Sequence, residues 1–271
     1  MQPALKKSLE NEIYRSGDSD YMVSLARGLH VIQVFCDDGR HKLTIADVTR
    51  MSGLSRTVVS RCLYTLRELG FVGRTGRYFY LLPKCLKLGY GYVSTASLPG
   101  LAQPILDGLA TEARSAAAVT VLEGPDVLYI AKSVPPSSRN VVTITVNIGH
   151  RRPAYVTASG LVLLASLKAE LFDAYMDELD DKDVLATSSR SKAEIVELVE
   201  KAREDDYAQT ELVFAKSMRA LAVPVRNVVG NVVAAMVLAI YDDVRSDEDL
   251  LTDLLPRVRR SAKSLSDKLI D

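Results

Sequence analysis

The sequence predicts an α+β protein in two parts, a small N-terminal winged helix-turn-helix and a larger C-terminal domain built on an antiparallel sheet. Three observations carry that prediction. Between Ser24 and Leu69, apolar residues recur at spacings of three and four in three short runs separated by turn residues. Residues 71–82 switch to a strand-like pattern around Thr75-Gly76. Beyond Leu98, β-branched runs come in groups with helical patterns at both ends, rather than in βαβ alternation.

The chain has 271 residues, which suits a small domain plus a medium one. Residues 1–20 read as a flexible arm, 21–82 as the winged unit, 83–98 as a linker helix and 99–271 as the second domain. The arm mixes Lys6, Lys7 and Arg15 with Glu10, Glu12, Asp18 and Asp20, so it lacks the apolar core of a secretory signal. The run at 232–241 is strand length, far short of a membrane span. Both features predict a cytoplasmic protein with no membrane partner.

Net charge is +0, from 34 Lys/Arg against 34 Asp/Glu, but its distribution is uneven. Residues 21–97 hold 11 Lys/Arg and 4 Asp/Glu, a balance of +7. Residues 98–271 hold 20 against 26, a balance of −6. A basic segment joined to an acidic one implies that only the first meets a polyanion. The three cysteines, Cys36, Cys62 and Cys85, are too scattered for a disulfide framework and are expected as small apolar fillers. With only His30, His41 and His150 besides, neither a metal site nor any cofactor is expected.

Within the first part, a helix is predicted over 24–35 with Leu25, Leu29, Ile32 and Phe35 facing inward. A second helix runs over 44–52, with Thr44 as N-cap and Ile45, Val48 and Met51 on its apolar side. Gly53 then supplies a tight turn. A third helix over 55–69 starts at Ser55 and stops at Gly70. Its apolar stripe is Val59, Cys62, Leu63, Leu66 and Leu69. In the second part, helices are expected at 101–114, 158–167, 168–179, 191–204 and 246–269, the last with Ser246 and Asp249 in capping positions. Strands are expected at 118–123, 127–133, 141–147, 207–213, 218–226 and 232–241, with 227–230 as a hairpin loop.

Three helices followed by a hairpin are what a winged helix-turn-helix requires, the third helix laying its polar face into the DNA major groove. That face carries Arg56, Thr57, Ser60, Arg61, Tyr64 and Arg67. Arg56, Thr57, Ser60 and Arg61 sit in the first two turns, where base edges are reached: an arginine fork matches guanine and a threonine methyl can touch thymine. Arg67 lies further along and suits phosphate. Arg74 and Arg77 flank the Gly76 turn, where a wing meets the backbone or minor groove.

The runs Leu25-Ala26-Arg27-Gly28-Leu29, Leu54-Ser55-Arg56 and Leu66-Arg67-Glu68-Leu69-Gly70-Phe71-Val72 resemble the N-terminal domain of IclR-type transcriptional regulators. The likeness continues through Tyr80-Leu81-Leu82-Pro83 and Leu86-Lys87-Leu88-Gly89. It returns at Arg152-Pro153-Ala154-Tyr155, at Thr157-Ala158-Ser159-Gly160, and from Ser217 to Val225. Arg152–Tyr155 looks closest to the branch that regulates aromatic-acid catabolism through the β-ketoadipate pathway, while Val156 stands where the family often has a polar or sulfur residue.

The resemblance implies a GAF-like effector domain in which an antiparallel sheet and surrounding helices enclose a small ligand. The residues agree in part. Thr157, Ser159 and Gly160 precede an apolar helix, and a helix N-terminus offers free N–H groups to a carboxylate, although a Ser/Thr there is also an ordinary cap. Tyr129 is a candidate aromatic wall or a core residue. Glu211, Met218, Leu221, Val237 and Ala239 align with family positions that face the effector. Arg219 is a candidate carboxylate partner or a structural partner of Glu211.

Catalysis is not expected. Ser159 lies outside a Gly-x-Ser-x-Gly elbow, and the sequence shows neither a phosphate loop nor paired catalytic carboxylates. The expected protein is a homodimer or dimer of dimers that pairs through its first helix and linker. It would read a pseudo-palindromic operator in double-stranded DNA and respond to a small organic acid. An enzyme with an accessory DNA-binding head and a protein-interaction adaptor are the alternatives.

Overall fold

The computed structural model describes residues 20–37, 41–95, 97–135, 147–211, 218–241 and 250–269. It divides into two compact units, 1–92 and 93–271, the division falling inside the segment read as a linker.

The first unit holds α1 (Val23–Asp37), β1 (Leu43–Thr44), α2 (Ile45–Ser52), α3 (Arg56–Glu68), β2 (Val72–Thr75) and β3 (Tyr78–Leu81). The strands form an antiparallel sheet in the order β1-β3-β2. Local chemistry sets the helix ends. Thr44 Oγ1 accepts the Asp47 N–H at 3.2 Å while the Asp47 carboxylate accepts the Thr44 N–H at 2.9 Å, a reciprocal cap that starts α2. Gly53, at φ 71°, stops it in a left-handed conformation that suits glycine. Ser55 caps α3 through the Val58 N–H, and Gly70, at φ 75°, ends it as Phe71 N–H reaches back to Leu66 O. The core beneath is Val31, Val34, Leu43, Val48, Val59 and Leu63 with their neighbours.

One expectation is corrected here. The inward side of α1 is His30, Val31, Val34 and Phe35, whereas Leu25 and Leu29 are 57% and 48% exposed. Two apolar stripes run side by side along this helix, and periodicity cannot say which of them the rest of the unit covers. Cys36 is exposed rather than a filler, while Cys62 and Cys85 are half-buried.

A single 3₁₀ turn (Pro83–Cys85) leads into α4 (Leu86–Thr95), which spans the division. Next comes α5 (Ser97–Ala113), which starts four residues ahead of the helix expected at 101–114 and takes Leu98-Pro99-Gly100 into its first turn. Proline fits there because a first-turn N–H has no intrahelical partner to lose.

The second unit is a six-stranded antiparallel sheet. Its strands are β4 (Ala116–Glu123), β5 (Asp126–Ser133), β6 (Arg151–Pro153), β7 (Ala208–Glu211), β8 (Met218–Arg226) and β9 (Val232–Tyr241), in the order β6-β5-β4-β9-β8-β7. The helices are α6 (Ala158–Ala165), α7 (Ala169–Glu178), α8 (Asp181–Ser188), α9 (Lys192–Asp205) and α10 (Leu255–Ser266), the last preceded by a π-turn at Leu250–Leu254. Strand alternation sorts the side chains onto two faces. Val119, Leu221, Val223, Met236 and Leu238 pack with residues of α5 and α10. Ala118, Ala220, Ala222, Ala235 and Val237 pack with residues of α6 and α9.

The short polar α8 was not anticipated. The strand expected at 141–147 lies outside the described residues except for Asn147, as do the capping residues expected at Ser246 and Asp249.

Candidate nucleic-acid interface and effector-binding face

The outer side of α3 is bare. Arg56, Thr57, Ser60, Arg61 and Tyr64 are all exposed, and among the described residues neither Arg56 nor Arg61 is hydrogen-bonded or ion-paired. Both guanidinium forks therefore keep their donors for an outside partner. Arg67 differs. It is half-exposed, lies over the Tyr64 ring at 5.2 Å and bonds the Glu68 carboxylate at 2.7 Å, so part of its charge is already offset.

The hairpin holds its arginines by other means. Arg74 donates to Gly76 O at 2.7 Å and stacks over Phe79, while Arg77 donates to the Tyr78 hydroxyl at 3.1 Å and stacks over its ring. Both guanidinium groups stay exposed at the turn, pre-oriented by these contacts. Behind α3 runs an apolar groove of about 560 Å³ lined by Met22, Leu25, Leu29, Ile32, Leu69 and Leu88, among others. It is built from the side of α1 that the core leaves uncovered.

In the second unit, the turn at the start of α6 is tightly built. Thr157 Oγ1 accepts the Gly160 N–H at 2.9 Å and donates to Ala154 O at 3.3 Å, so the threonine hydroxyl is spent on capping. Gly160 presses on the preceding turn: a Cβ there would lie 2.0 Å from Ala154 O. Ser159 is the exception. It is fully buried, yet its hydroxyl has no hydrogen-bond partner among the described residues.

Among the described residues of the second unit, two further hydroxyls share this condition, those of Thr120 and Thr210, at 0% and 3% exposure. Sequence reasoning passed over both, because a threonine in a strand carries no signal of its own. Thr120 lies directly opposite Tyr129 in the β4–β5 register. Burial pushes the Tyr129 phenol up to about 12, opposed by the positive charge of Arg152 and by the approaching Ser159 hydroxyl. That approach stops short of a hydrogen bond.

The sheet register separates the remaining candidates. Met218, Val237 and Ala239 leave from the α6 face, as do Tyr129 and Ser159. Leu221 lies in the core on the opposite face. Arg219 has the same parity as Leu221 and sits across from Glu211 in the β7–β8 pairing, so these three turn away from α6. The residues that take their place on the α6 face are Thr210 and Ala220, each one position away.

The first unit is thus a winged helix-turn-helix with an uncommitted cationic face, and the second an antiparallel-sheet domain with unsatisfied buried hydroxyls: the form of a DNA-binding transcriptional regulator with an effector domain. Two family models match, the IclR helix-turn-helix domain over residues 24–76 and the bacterial transcriptional regulator IclR C-terminal domain over residues 90–267. The chain belongs to the IclR family of transcriptional regulators, which are not enzymes.

The Pca regulon regulatory protein of Pseudomonas putida is 33% identical over 254 residues, 94% of this chain and 86% of its own length. A transcriptional regulator of known structure from Rhodococcus sp. RHA1 is 36% identical with a TM-score of 0.75, covering 92% of this chain and 98% of its own. An IclR homologue from Microbacterium hydrocarbonoxydans, solved as a complex with 4-hydroxybenzoate, shares the fold at TM-score 0.73 and 20% identity, over 91% of this chain and 98% of its own. No helix among the described residues is long and apolar enough to cross a membrane.

Proposed function

We propose that this protein controls genes of aromatic-acid catabolism, binding a pseudo-palindromic operator through paired winged domains and releasing or engaging it in response to a small aromatic acid. The observation that carries the DNA-binding part is the bare outer face of α3, where Arg56, Thr57, Ser60, Arg61 and Tyr64 are exposed. Arg56, Thr57, Ser60 and Arg61 read base edges, while Arg67, Arg74 and Arg77 meet phosphate. The apolar groove beside α1, with Leu25 and Leu29 exposed, supports pairing of two copies there. Effector contact falls to Tyr129, Ser159, Met218, Ala220, Val237 and Ala239, with Thr157 and Gly160 shaping the turn. The Microbacterium homologue's ligand supports an aromatic acid as the class, and the alanine-rich floor supports a flat ring. The protein works in the cytoplasm, where its DNA is.

The test is selection of binding sites from a random duplex pool by the full chain, followed by titration with 4-hydroxybenzoate. The expected result is an enriched sequence of two inverted half-sites about one or two helical turns apart, whose occupancy changes with ligand. Enrichment of nothing, with only salt-insensitive weak binding, would favour the protein-interaction alternative. A Leu29→Arg variant should lose self-association and operator affinity together.

A further inference from the structure

The turn that joins α2 to α3 is held from outside by a residue of α1. Ser52 ends α2 and is 7% exposed, and its carbonyl, the last of the helix, has no intrahelical donor. His30 supplies one: its Nε2 lies 3.2 Å from Ser52 O, in a buried contact that spans 22 residues of sequence. A carbonyl only accepts, so the ring carries a proton on Nε2. Among the described residues no other donor reaches Ser52 O. The turn also closes on itself, through Leu54 N–H to Ser52 Oγ at 3.2 Å and Gly53 N–H to Thr49 O at 3.1 Å. Both of these bonds are local, whereas the His30 bond anchors the turn to a different helix.

Stability alone does not call for a histidine at that position. The residue is 4% exposed on the inward side of α1, beside Val31 and one turn before Val34, and its Nδ1 is buried with no hydrogen-bond partner among the described residues. One ring nitrogen is thus satisfied and the other is not, and an unpaired buried acceptor is destabilising. A leucine would fill the space without any polar atom to satisfy, but it could not hold Ser52. Directly beyond the turn come Ser55, the cap of α3, and Arg56. An error of direction at the turn grows along the helix: a tilt of about 10° displaces Arg61, about 9 Å along the axis, by about 1.5 Å. Hydrogen bonds to base edges do not survive a shift of that size.

We propose that His30 is a positioning residue for DNA recognition. By holding Ser52 O it fixes the direction in which α3 leaves the turn, and with it the placement of Arg56 and Arg61 on base edges. Contacts to phosphate tolerate such an error better, because attraction between charges needs less alignment than a bidentate bond to a base. Loss of the His30 bond therefore lowers sequence discrimination more than it lowers affinity for DNA in general. This inference rests on the base-reading role given to α3 above and adds the residue that aims it.

The experiment uses the full chain and two duplexes, the one most enriched by wild type from a random pool and a scrambled version of it. Both Kd values are measured below the Tm of every variant, and each Tm is recorded. H30L removes both ring nitrogens, H30Q places an amide N–H where Nε2 stands, and H30N carries the same amide on a stem too short to reach Ser52 O. H30Q should keep the wild-type ratio of the two Kd values to within about threefold, because the donor is retained. H30L and H30N should lower that ratio about tenfold, with the scrambled duplex bound within about twofold of wild type. A merely structural histidine gives another pattern, in which Tm falls and the ratio stays. An unchanged ratio in H30L and H30N, a ratio lowered equally in H30Q, or both duplexes weakened in step would overturn the proposal and leave the base-reading role of α3 in place. If H30L does not fold, H30Q and H30N decide on the same ratio. If wild type enriches no sequence, the base-reading role itself fails and takes the proposal with it.

Discussion

Replacing Gly160 with alanine inserts one methyl group where the structure has no room for it. The added Cβ would sit 2.0 Å from Ala154 O and 2.5 Å from the Ala154 carbonyl carbon and Cα, all backbone atoms. Ordinary contact needs more than about 3.4 Å, so the start of α6 and the Ala154–Val156 turn must separate by over about 1 Å. The neighbouring side chains are no softer: Ala154, Ala158 and Leu164 are at 0% exposure and Leu161 at 1%. Overpacking of this kind costs about 2–3 kcal/mol, and the strained Thr157 cap adds about 1 kcal/mol. Alanine's better helix propensity returns about 1 kcal/mol, leaving a net loss of about 2–3 kcal/mol.

The assay is urea unfolding followed by far-ultraviolet circular dichroism, with Gly73→Ala as the internal control. A Cβ at Gly73 would meet the tip of the Tyr80 side chain at 2.5 Å, a half-exposed ring that can swing aside. G73A should therefore move the midpoint little, while G160A lowers it clearly and abolishes ligand binding. A G160A protein that unfolds at the wild-type midpoint would refute the argument from close approach.

The remaining expectations concern the DNA-binding face, the caps and acid pH. Arg56→Ala and Arg61→Ala should each weaken specific operator binding by about 1–3 kcal/mol in a gel-shift titration, with unfolding midpoints unchanged because both side chains are exposed. Arg74→Ala should weaken binding to all sequences alike and lower the salt slope by about one. Thr44→Ala should cost about 1 kcal/mol in denaturant unfolding, having lost one half of the α2 cap. Glu194, held below the usual carboxylate range by the Ser191 N–H and hydroxyl at the start of α9, favours folding when ionised. Its contribution is present above the ordinary carboxylate pKa and fades as pH falls through the lowered one, so Glu194→Gln should show a shallower loss of Tm between neutral and acid pH.

What could be read from the sequence was chiefly what is decided within four or five residues. The caps at Thr44 and Ser55 and the left-handed stops at Gly53 and Gly70 depend on local hydrogen bonds and backbone freedom, and the structure has them where the sequence implied. Decisions that depend on a distant partner were less legible. Leu25 and Leu29 form as good a stripe as Val31 and Val34, and only the packing of α1 against the other helices separates them. The α6 face of the sheet shows the same limit. A slip of one residue in a strand reverses the side on which a chain emerges, so alignment to Glu211 and Leu221 selects the far face while Thr210 and Ala220 hold the near one. Thr120 gave no signal in one dimension, because its singularity is a missing partner.

The alanines beneath α6 bear on how such a regulator changes its allegiance. Ala118, Ala220, Ala222 and Ala235 contribute almost no bulk, yet each is bonded into the sheet through its main chain alone. Exchanging any of them for serine, valine or leucine would raise the floor by one or a few atoms and leave the strand ladder intact. New inducers could thus be admitted or turned away in single mutational steps, with the winged domains and the promoters they command inherited unchanged.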